Sequence, residues 1–405
     1  MKLVCDGLDL SDAVIKVSKA INPKTTNPIL EGIKLVAEDG TLTLSATDYE
    51  LSIEKKIKAD IKIEGETVVP GRFFSEFVKK LTNEKIELTL NDNNQLIIKY
   101  CDSEGYIQCM NSLEYPSLKK IDNGDYFGIA QKDFKTLINK SNFAVALDDS
   151  RPILKGCLLE VEGNNLRGVA LDGYRLAFIQ KPVVASSGKI RVVVPARSLN
   201  EVSKILEDSD DIINVYIHQN NLMVDLKNTK IITRLIDGEF LNYSQIISNS
   251  FASKITVNKA QLEQALERAA LLSKVGQNNL VKFDIKERNM VISSNSEIGN
   301  IKENINVVLD GKELNIAFNA SYFMDALRVL SDEFITINFN SAINPCVIKP
   351  VEGDEYLYLI LPVRMINYFG VLFRLRKRTK KRGEFGFSPH PLKPPLAERG
   401  KTMSS

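Results

Sequence analysis

The chain has 405 residues, 44% hydrophobic and 26% charged, the balance of a soluble globular protein with room for roughly two to four domains. Its net charge of +2 conceals a division: residues 367–405 hold ten Lys/Arg and two Asp/Glu, while the first 366 hold 43 and 49. Five scattered cysteines (Cys5, Cys101, Cys109, Cys157, Cys346) with no C-x-x-C point away from a disulfide framework or a zinc site.

The N-terminus, MKLVCDGLDL, is broken by Asp6 and Asp9 and does not read as a secretory signal. Leu10, Ala13, Val14, Val17 and Ile21 recur at helical spacing. Strands are predicted at 32–36, 42–46 and 51–57, with a turn at Asp39-Gly40. Val68-Val69-Pro70-Gly71-Arg72 then passes from a β-branched run into a helix bearing Phe74, Phe77 and Leu81. Strands follow at 86–90, 95–100 and 106–110. Asp122 to Asp125 reads as a linker.

A third helix is predicted over 132–145, then strands at 156–161 and 166–171 and a turn at Asp172-Gly173-Tyr174-Arg175. Val192-Val193-Val194-Pro195-Ala196-Arg197 repeats the strand-to-helix step, with Leu199, Val202 and Leu206 on the helix. Strands at 214–218, 222–226 and 231–235 precede a second linker at Ser248-Asn249-Ser250. The last third opens with Ile255-Thr256-Val257 and a helix over 259–273. It makes the step once more at Ala317-Phe318-Asn319-Ala320-Ser321, before Phe323, Ala326 and Leu330. It closes with Tyr356–Met365, whose apolar run is too short to cross a bilayer.

The three steps lie at Pro70, Pro195 and Asn319, a repeat of domain size rather than of a solenoid unit. The chain therefore reads as three copies of one α+β domain, each with antiparallel sheets and two helices. The predicted bounds are 1–122, 123–250 and 251–366, followed by a basic tail over 367–405. Aligning the copies superposes Lys16, Lys140 and Arg268 on the first helices, and Lys79, Lys204 and Arg328 on the second. Alone, each is a cation on a solvated helix face. Repeated around an axis, they become a positive surface on an acidic body.

Histidines occur only at His218 and His390, so no Ser-His-Asp or Cys-His set can be drawn, and no phosphate-binding glycine loop is present. Asp148-Asp149 and Asp208, Asp210, Asp211 read as solvated loops. No catalytic residue, cofactor or metal is expected.

VVPGR, VVPAR, NPIL (27–30), ALDGYRLA (170–177), FNASYF (318–323) and LILPVRM (359–365) together resemble the bacterial DNA polymerase III beta subunit family, the sliding clamps. The resemblance spans everything but the tail. It implies a homodimeric, head-to-tail ring of six clamp domains, with helices inside and sheets outside, that encircles duplex DNA and tethers the replicative polymerase. Lys24, Arg72, Arg151 and Arg197 then join the six equivalent cations as DNA-facing candidates. Ile107, Leu271 and Leu272 are implied at the dimer contact.

The resemblance further implies a pocket for short peptides of polymerases, clamp loader and repair proteins. Its wall would be Leu154, Gly173, Tyr174, Arg175, Leu176, Ile246, Asn319, Tyr322, Val347 and Leu359 to Met365 (Leu359, Ile360, Leu361, Pro362, Val363, Arg364, Met365), with Arg175 and Asn319 fixing the peptide backbone. Leu171, Leu241 and Gln245 depart from the family pattern there, where threonine, proline and arginine are usual. The family also normally ends near Met365; here a basic, proline-containing tail continues and is expected to be disordered. A cytoplasmic, nucleoid-associated protein with no membrane contact is the expectation. The competing reading is a three-domain scaffold that binds proteins without encircling DNA.

Overall fold

The computed structural model describes residues 1–81, 85–119, 121, 123–247, 250–274 and 279–364. The expected tail, Met365 and most of the second linker lie outside the described residues.

Three repeats of one plan follow each other. In the first, the strand Lys2–Asp6 runs into the helix Gly7–Val17 (α1), and Gly65–Pro70 runs into Gly71–Val78 (α2). In the second, Asp125–Ala130 runs into Gln131–Ser141 (α3), and Ile190–Pro195 into Ala196–Ile205 (α4). In the third, Ser253–Asn258 runs into Lys259–Ser273 (α5), and Leu314–Asn319 into Ala320–Val329 (α6).

The caps explain why the helices begin where they do. Asp6 accepts from the Leu8 and Asp9 amides, Asn258 from Gln261, and Asn319 from Ser321, so side chains take up donors the first turn cannot satisfy. Pro70 and Pro195 stand at the same place before α2 and α4, where a missing N–H costs nothing. The apolar stripes fall inside: Leu10, Ala13, Val14 and Val17 of α1, and Leu262, Ala265, Leu266 and Ala269 of α5, are buried against the sheets.

Three helices end earlier than their apolar spacing predicts. α1 and α3 pass into single 3-10 turns at Ser18–Ala20 and Asn142–Ala144, and α2 stops at Val78. Ser18 and Ser141 hydroxyls bond back to the Val14 and Leu137 carbonyls, which competes with continuing the α-helical ladder. The apolar alternation in the strands Lys2–Asp6 and Asp125–Ala130 is too short to mark them in the sequence.

The repeats are joined through their sheets. The strand Leu51–Ile63 pairs with Lys2–Asp6 through its second half, and through its first half with Thr229–Arg234 of the second repeat, Thr233 opposite Leu51 and Thr229 opposite Lys55. Arg175–Pro182 of the second repeat pairs in the same way with Tyr356–Ile360 of the third, Ile360 opposite Arg175 and Tyr356 opposite Ile179. One bond beyond each ladder, the Arg234 amide donates to Glu50 O (2.9 Å) and the Leu361 amide to Tyr174 O (2.8 Å). The two junctions are thus built alike, bond for bond.

Two strands remain open at the corresponding places. Among the described residues, Ser103–Gln108 pairs on one side only, with Gln95–Tyr100. The first half of Gly299–Gly311 pairs, among the described residues, only with Asn289–Ser296, because Ser253–Asn258 takes the half from Val307 onward.

Candidate nucleic-acid interface and peptide pocket

The structure places the six aligned cations at equivalent helical positions. Lys16, Lys140 and Arg268 each lie ten residues after the N-caps Asp6, Ala130 and Asn258. Lys79, Lys204 and Arg328 each lie nine residues after Pro70, Pro195 and Asn319. Five of them sit in the last turn or at the C-cap of their helices, where the helix dipole favours positive charge, while Arg268 lies before the last turn of the longer α5.

Most of these cations are not bare. Lys16 bonds Asp12 (2.9 Å), Lys204 bonds Glu201 (2.7 Å) and Arg328 bonds Asp325 (3.3 Å). Arg268 grips Glu303 with two donors, at 2.9 and 2.8 Å, and that hydrogen bonding, with the guanidinium's charge, holds the Glu303 carboxyl below the usual range. Lys140 lies 5.6 Å from the centre of the Tyr356 ring. Lys79 is exposed and makes no ion pair among the described residues. The neighbouring carboxylates soften the positive surface that the sequence suggests.

The further candidates divide. Arg72 pairs with Glu76 at 3.5 Å and is 94% exposed. Lys24 and Arg151 are exposed loop cations. Arg197 instead reaches across the first junction to Asp48, a structural contact between repeats. The acidic loops are also engaged: Asp208 pairs with Lys135, Asp210 with Lys132 and Asp149 with Lys155. Among the described residues no cluster has the donors to hold a metal ion. Burial pushes the Cys157 thiol up to about 11 and Cys5 up to about 12, so neither supplies a thiolate near neutrality.

At the second junction, Leu154, Leu176, Val347 and Leu359 form a buried apolar floor, packed in one cluster with Phe240 and Tyr243. Tyr174, Ile246 and Leu361 rise from it, 61%, 42% and 37% exposed. Gly173 holds φ +94 in a turn whose Asp172 carboxylate accepts from the Tyr174 and Arg175 amides. Tyr322 stacks on Tyr174 with centroids 6.3 Å apart. Pro362 and Val363 are half-buried, the Val363 amide donating to Ala317 O (2.8 Å), and Arg364 is exposed.

Three of the expected wall residues are differently employed. Ile360 alternates away from Leu359 and enters the main core, because successive strand residues face opposite sides. Asn319 spends its side-chain oxygen capping α6. Arg175 is 8% exposed; its guanidinium bonds Asp172 (2.9 Å), Asp325 and Phe143 O (3.1 Å) and lies 4.7 Å from the Tyr322 ring centre. Burial works against its charge, but Tyr358, Asp325 and Asp172 hold the guanidinium above its ordinary value. It locks the second junction from inside. Arg175→Ala leaves two carboxylates facing each other without their cation. It is expected to cost about 3–5 kcal/mol, read as a lowered urea midpoint, while Arg175→Lys recovers only part of the loss.

The dimer candidates separate as well. Leu271 is 68% exposed, whereas Leu272 and Ile107 are buried within their own repeats. Phe73 and Tyr106, which the sequence pattern does not single out, are 57% and 69% exposed. Their signal is the alignment itself, since Phe73 stands where α4 has Ser198 and α6 has Tyr322, both at junction faces.

Comparison with known proteins gives one answer throughout. Profiles of the DNA polymerase III beta subunit match in order: N-terminal domain over residues 1–119, central domain over 128–242, C-terminal domain over 244–364. The beta sliding clamp of Bacillus subtilis is 35% identical over 376 residues, 90% of this chain and 100% of that protein. That of Staphylococcus epidermidis is 33% identical over 356 residues, 85% of this chain and 94% of that protein. The crystal structure of the B. subtilis sliding clamp superposes with a TM-score of 0.87 over 90% of this chain and 100% of that one. The DNA polymerase III beta subunit of Thermotoga maritima, 29% identical, gives 0.85 with the same coverage.

Proposed function

The chain belongs to the DNA polymerase III beta subunit family, and from that membership we infer that it is a DNA sliding clamp, a ring that encircles the duplex and tethers the replicative polymerase. The observation that carries the reading furthest is the repetition of two cations at the same helical positions in three repeats. A ring that slides cannot read base edges. It needs diffuse cations near phosphates, exchangeable from one to the next. Carboxylates already paired with those cations suit that need, since each phosphate contact displaces an ion pair of its own kind. Retention then comes from topology. The ring itself catalyses nothing; it holds catalysts on their template.

Ring closure follows from the internal junctions. If two copies meet as the repeats do, Ser103–Ile107 of one pairs with Gly299–Glu303 of the other. Ile107 then lies opposite Gly299, Tyr106 opposite Asn300, Glu104 opposite Lys302 and Ser103 opposite Glu303. This register places opposite charges across the ladder at Glu104 and Lys302. It also brings the exposed Leu271 beside Phe73. Two such contacts close a head-to-tail dimer. The domains we assign run over 1–122, 123–250 and 251–366, and the ring works in the cytoplasm at the nucleoid.

Partner peptides of the polymerase, clamp loader and repair proteins are assigned to the pocket over Leu176 and Leu359, with Tyr174 as its exposed aromatic anchor. Tyr174→Ala is expected to weaken such a peptide at least roughly tenfold by fluorescence polarisation, leaving the dimer's mass unchanged. The function itself is tested on a nicked circular plasmid with clamp loader and ATP. The chain is expected to co-elute with the circle and to leave once the circle is cut. Remaining on linear DNA would mean binding by contact and would favour the protein scaffold that happens to touch DNA.

A further inference from the structure

The first junction carries its own groove, on the sheet face turned away from the helices, and its chemistry is opposite to that of the second. At the second junction the outward row across four paired strands reads Leu158, Val169, Phe178, Leu357. At the first junction the same four positions read Lys34, Ser45, Glu54, Lys230. The pocket positions Leu171, Tyr174, Leu176 and Leu361 likewise correspond to Thr47, Glu50, Ser52 and Arg234. Here the sheet face is open. A cavity of about 460 Å³ lies over Lys34, Glu54, Lys56 and Lys230, and a second of about 80 Å³ continues it past Ser52 to Glu50 and Arg234. Residues 116–119 line both.

Five cations face this groove: Lys34, Lys56, Lys119, Lys230 and Arg234. Lys34 is paired with Glu66 at 2.9 Å, and Lys119 bonds the Asn221 side chain at 3.3 Å. Lys56, Lys230 and Arg234 make no ion pair among the described residues. Three carboxylates, Glu38, Glu50 and Glu54, share the lining. The local excess is positive on a body in which acidic groups outnumber basic ones, 49 to 43 over the first 366 residues. Between the charges lies a small apolar floor of Ile121, Met223 and Ile232.

We propose that the groove at the junction of the first two repeats is a second docking site, for an extended acidic segment of a partner protein with one apolar side chain. Its carboxylates meet Lys56, Lys230 and Arg234, and the apolar side chain rests on Met223 and Ile232. A clamp built this way presents two grooves per protomer at equivalent places in the fold, one selecting apolar peptides and one acidic peptides. The proposal rests on this chain's own lining and stands apart from DNA encirclement.

The probe is a fluorescein-labelled decapeptide of aspartate and glutamate around one photoreactive leucine, titrated into the full chain at low salt. Binding is expected, with the cross-link on residues 116–119, Ile121, Met223 or Ile232. Lys56→Glu with Lys230→Glu is expected to weaken it at least roughly tenfold, and Tyr174→Ala to leave it unchanged. Loading on circular DNA stays intact in the Lys56→Glu, Lys230→Glu chain, which separates this site from the ring function. No binding, binding unmoved by the double variant, or a cross-link confined to residues 367–405 would each overturn the proposal.

Discussion

Leu271→Glu is expected to release the chain as a 45.3 kDa monomer at concentrations where the parent runs as a dimer. The two junctions already filled show why. The position of Leu271 on α5 corresponds to Lys19 after α1 and Phe143 after α3. Lys19 reaches Glu201 across the first junction at 3.8 Å, and Phe143 packs on Tyr358 across the second with ring centres 5.5 Å apart. In each case this residue touches the neighbouring repeat. In the third repeat it is a leucine left 68% exposed; the first-repeat positions equivalent to Glu201 and Tyr358 are Glu76 and Gly105, with the exposed Phe73 one helical turn before Glu76. An apolar pair buried there as a hot spot contributes about 2 kcal/mol or more. Burying a glutamate against a phenylalanine reverses that term, so the dimer is expected to weaken by roughly a hundredfold or more. Leu271 is a surface residue of the monomer, so folding is retained, which an unchanged thermal midpoint at low concentration checks. The register has its own test. Glu104→Lys and Lys302→Glu each place like charges opposite one another and weaken the dimer; combined, they restore it. Additive loss in the combined chain would mean another register.

Removing the second-helix cations together, Lys79→Ala with Lys204→Ala and Arg328→Ala, is expected to have the second large effect. Each substitution removes one cation from an exposed helix end, and dimerisation doubles the number. The loss falls on the encounter of ring and DNA: loading onto circular DNA at low salt is expected to drop at least roughly tenfold. Its dependence on salt flattens by up to about 0.9 in log–log slope for each phosphate no longer neutralised. Rings already loaded remain on covalently closed circles, because topology holds them. If loading and its salt dependence are unchanged in the triple variant, the helices do not face DNA.

The repeat was legible because each copy makes the same strand-to-helix step. Residues such as Pro70 and Pro195 announce that step locally, through a ring that cannot donate to a sheet yet tolerates a helix start. The helix cations were legible for the same reason, as equal offsets from equal landmarks. What the sequence could not convey was which charges are already spoken for. Arg197 and Arg175 look alike in VVPAR and DGYR, yet both are consumed by carboxylates of neighbouring repeats, Asp48 and Asp325, at long separations along the chain. The facing of single residues was also hidden. Ile360 sits in an unbroken apolar run, where only pairing to Arg175 and Cys346 fixes which side it takes. The open ladder edges at Ser103–Gln108 and Gly299–Glu303 carry no composition that distinguishes them from closed ones.

The most direct test of encirclement is to lock the ring on DNA. Tyr106 and Asn300 are exposed and lie opposite one another in the inferred ladder, within the separation a disulfide spans. A chain carrying Tyr106→Cys and Asn300→Cys, with Cys101→Ser to remove the exposed native thiol, is loaded on a covalently closed circle and mildly oxidised. The measurement is whether protein and circle still migrate together in sodium dodecyl sulfate. The expected result is co-migration that disappears on cutting the circle or adding a reductant. A cross-linked dimer that leaves the intact circle in detergent would contradict encirclement.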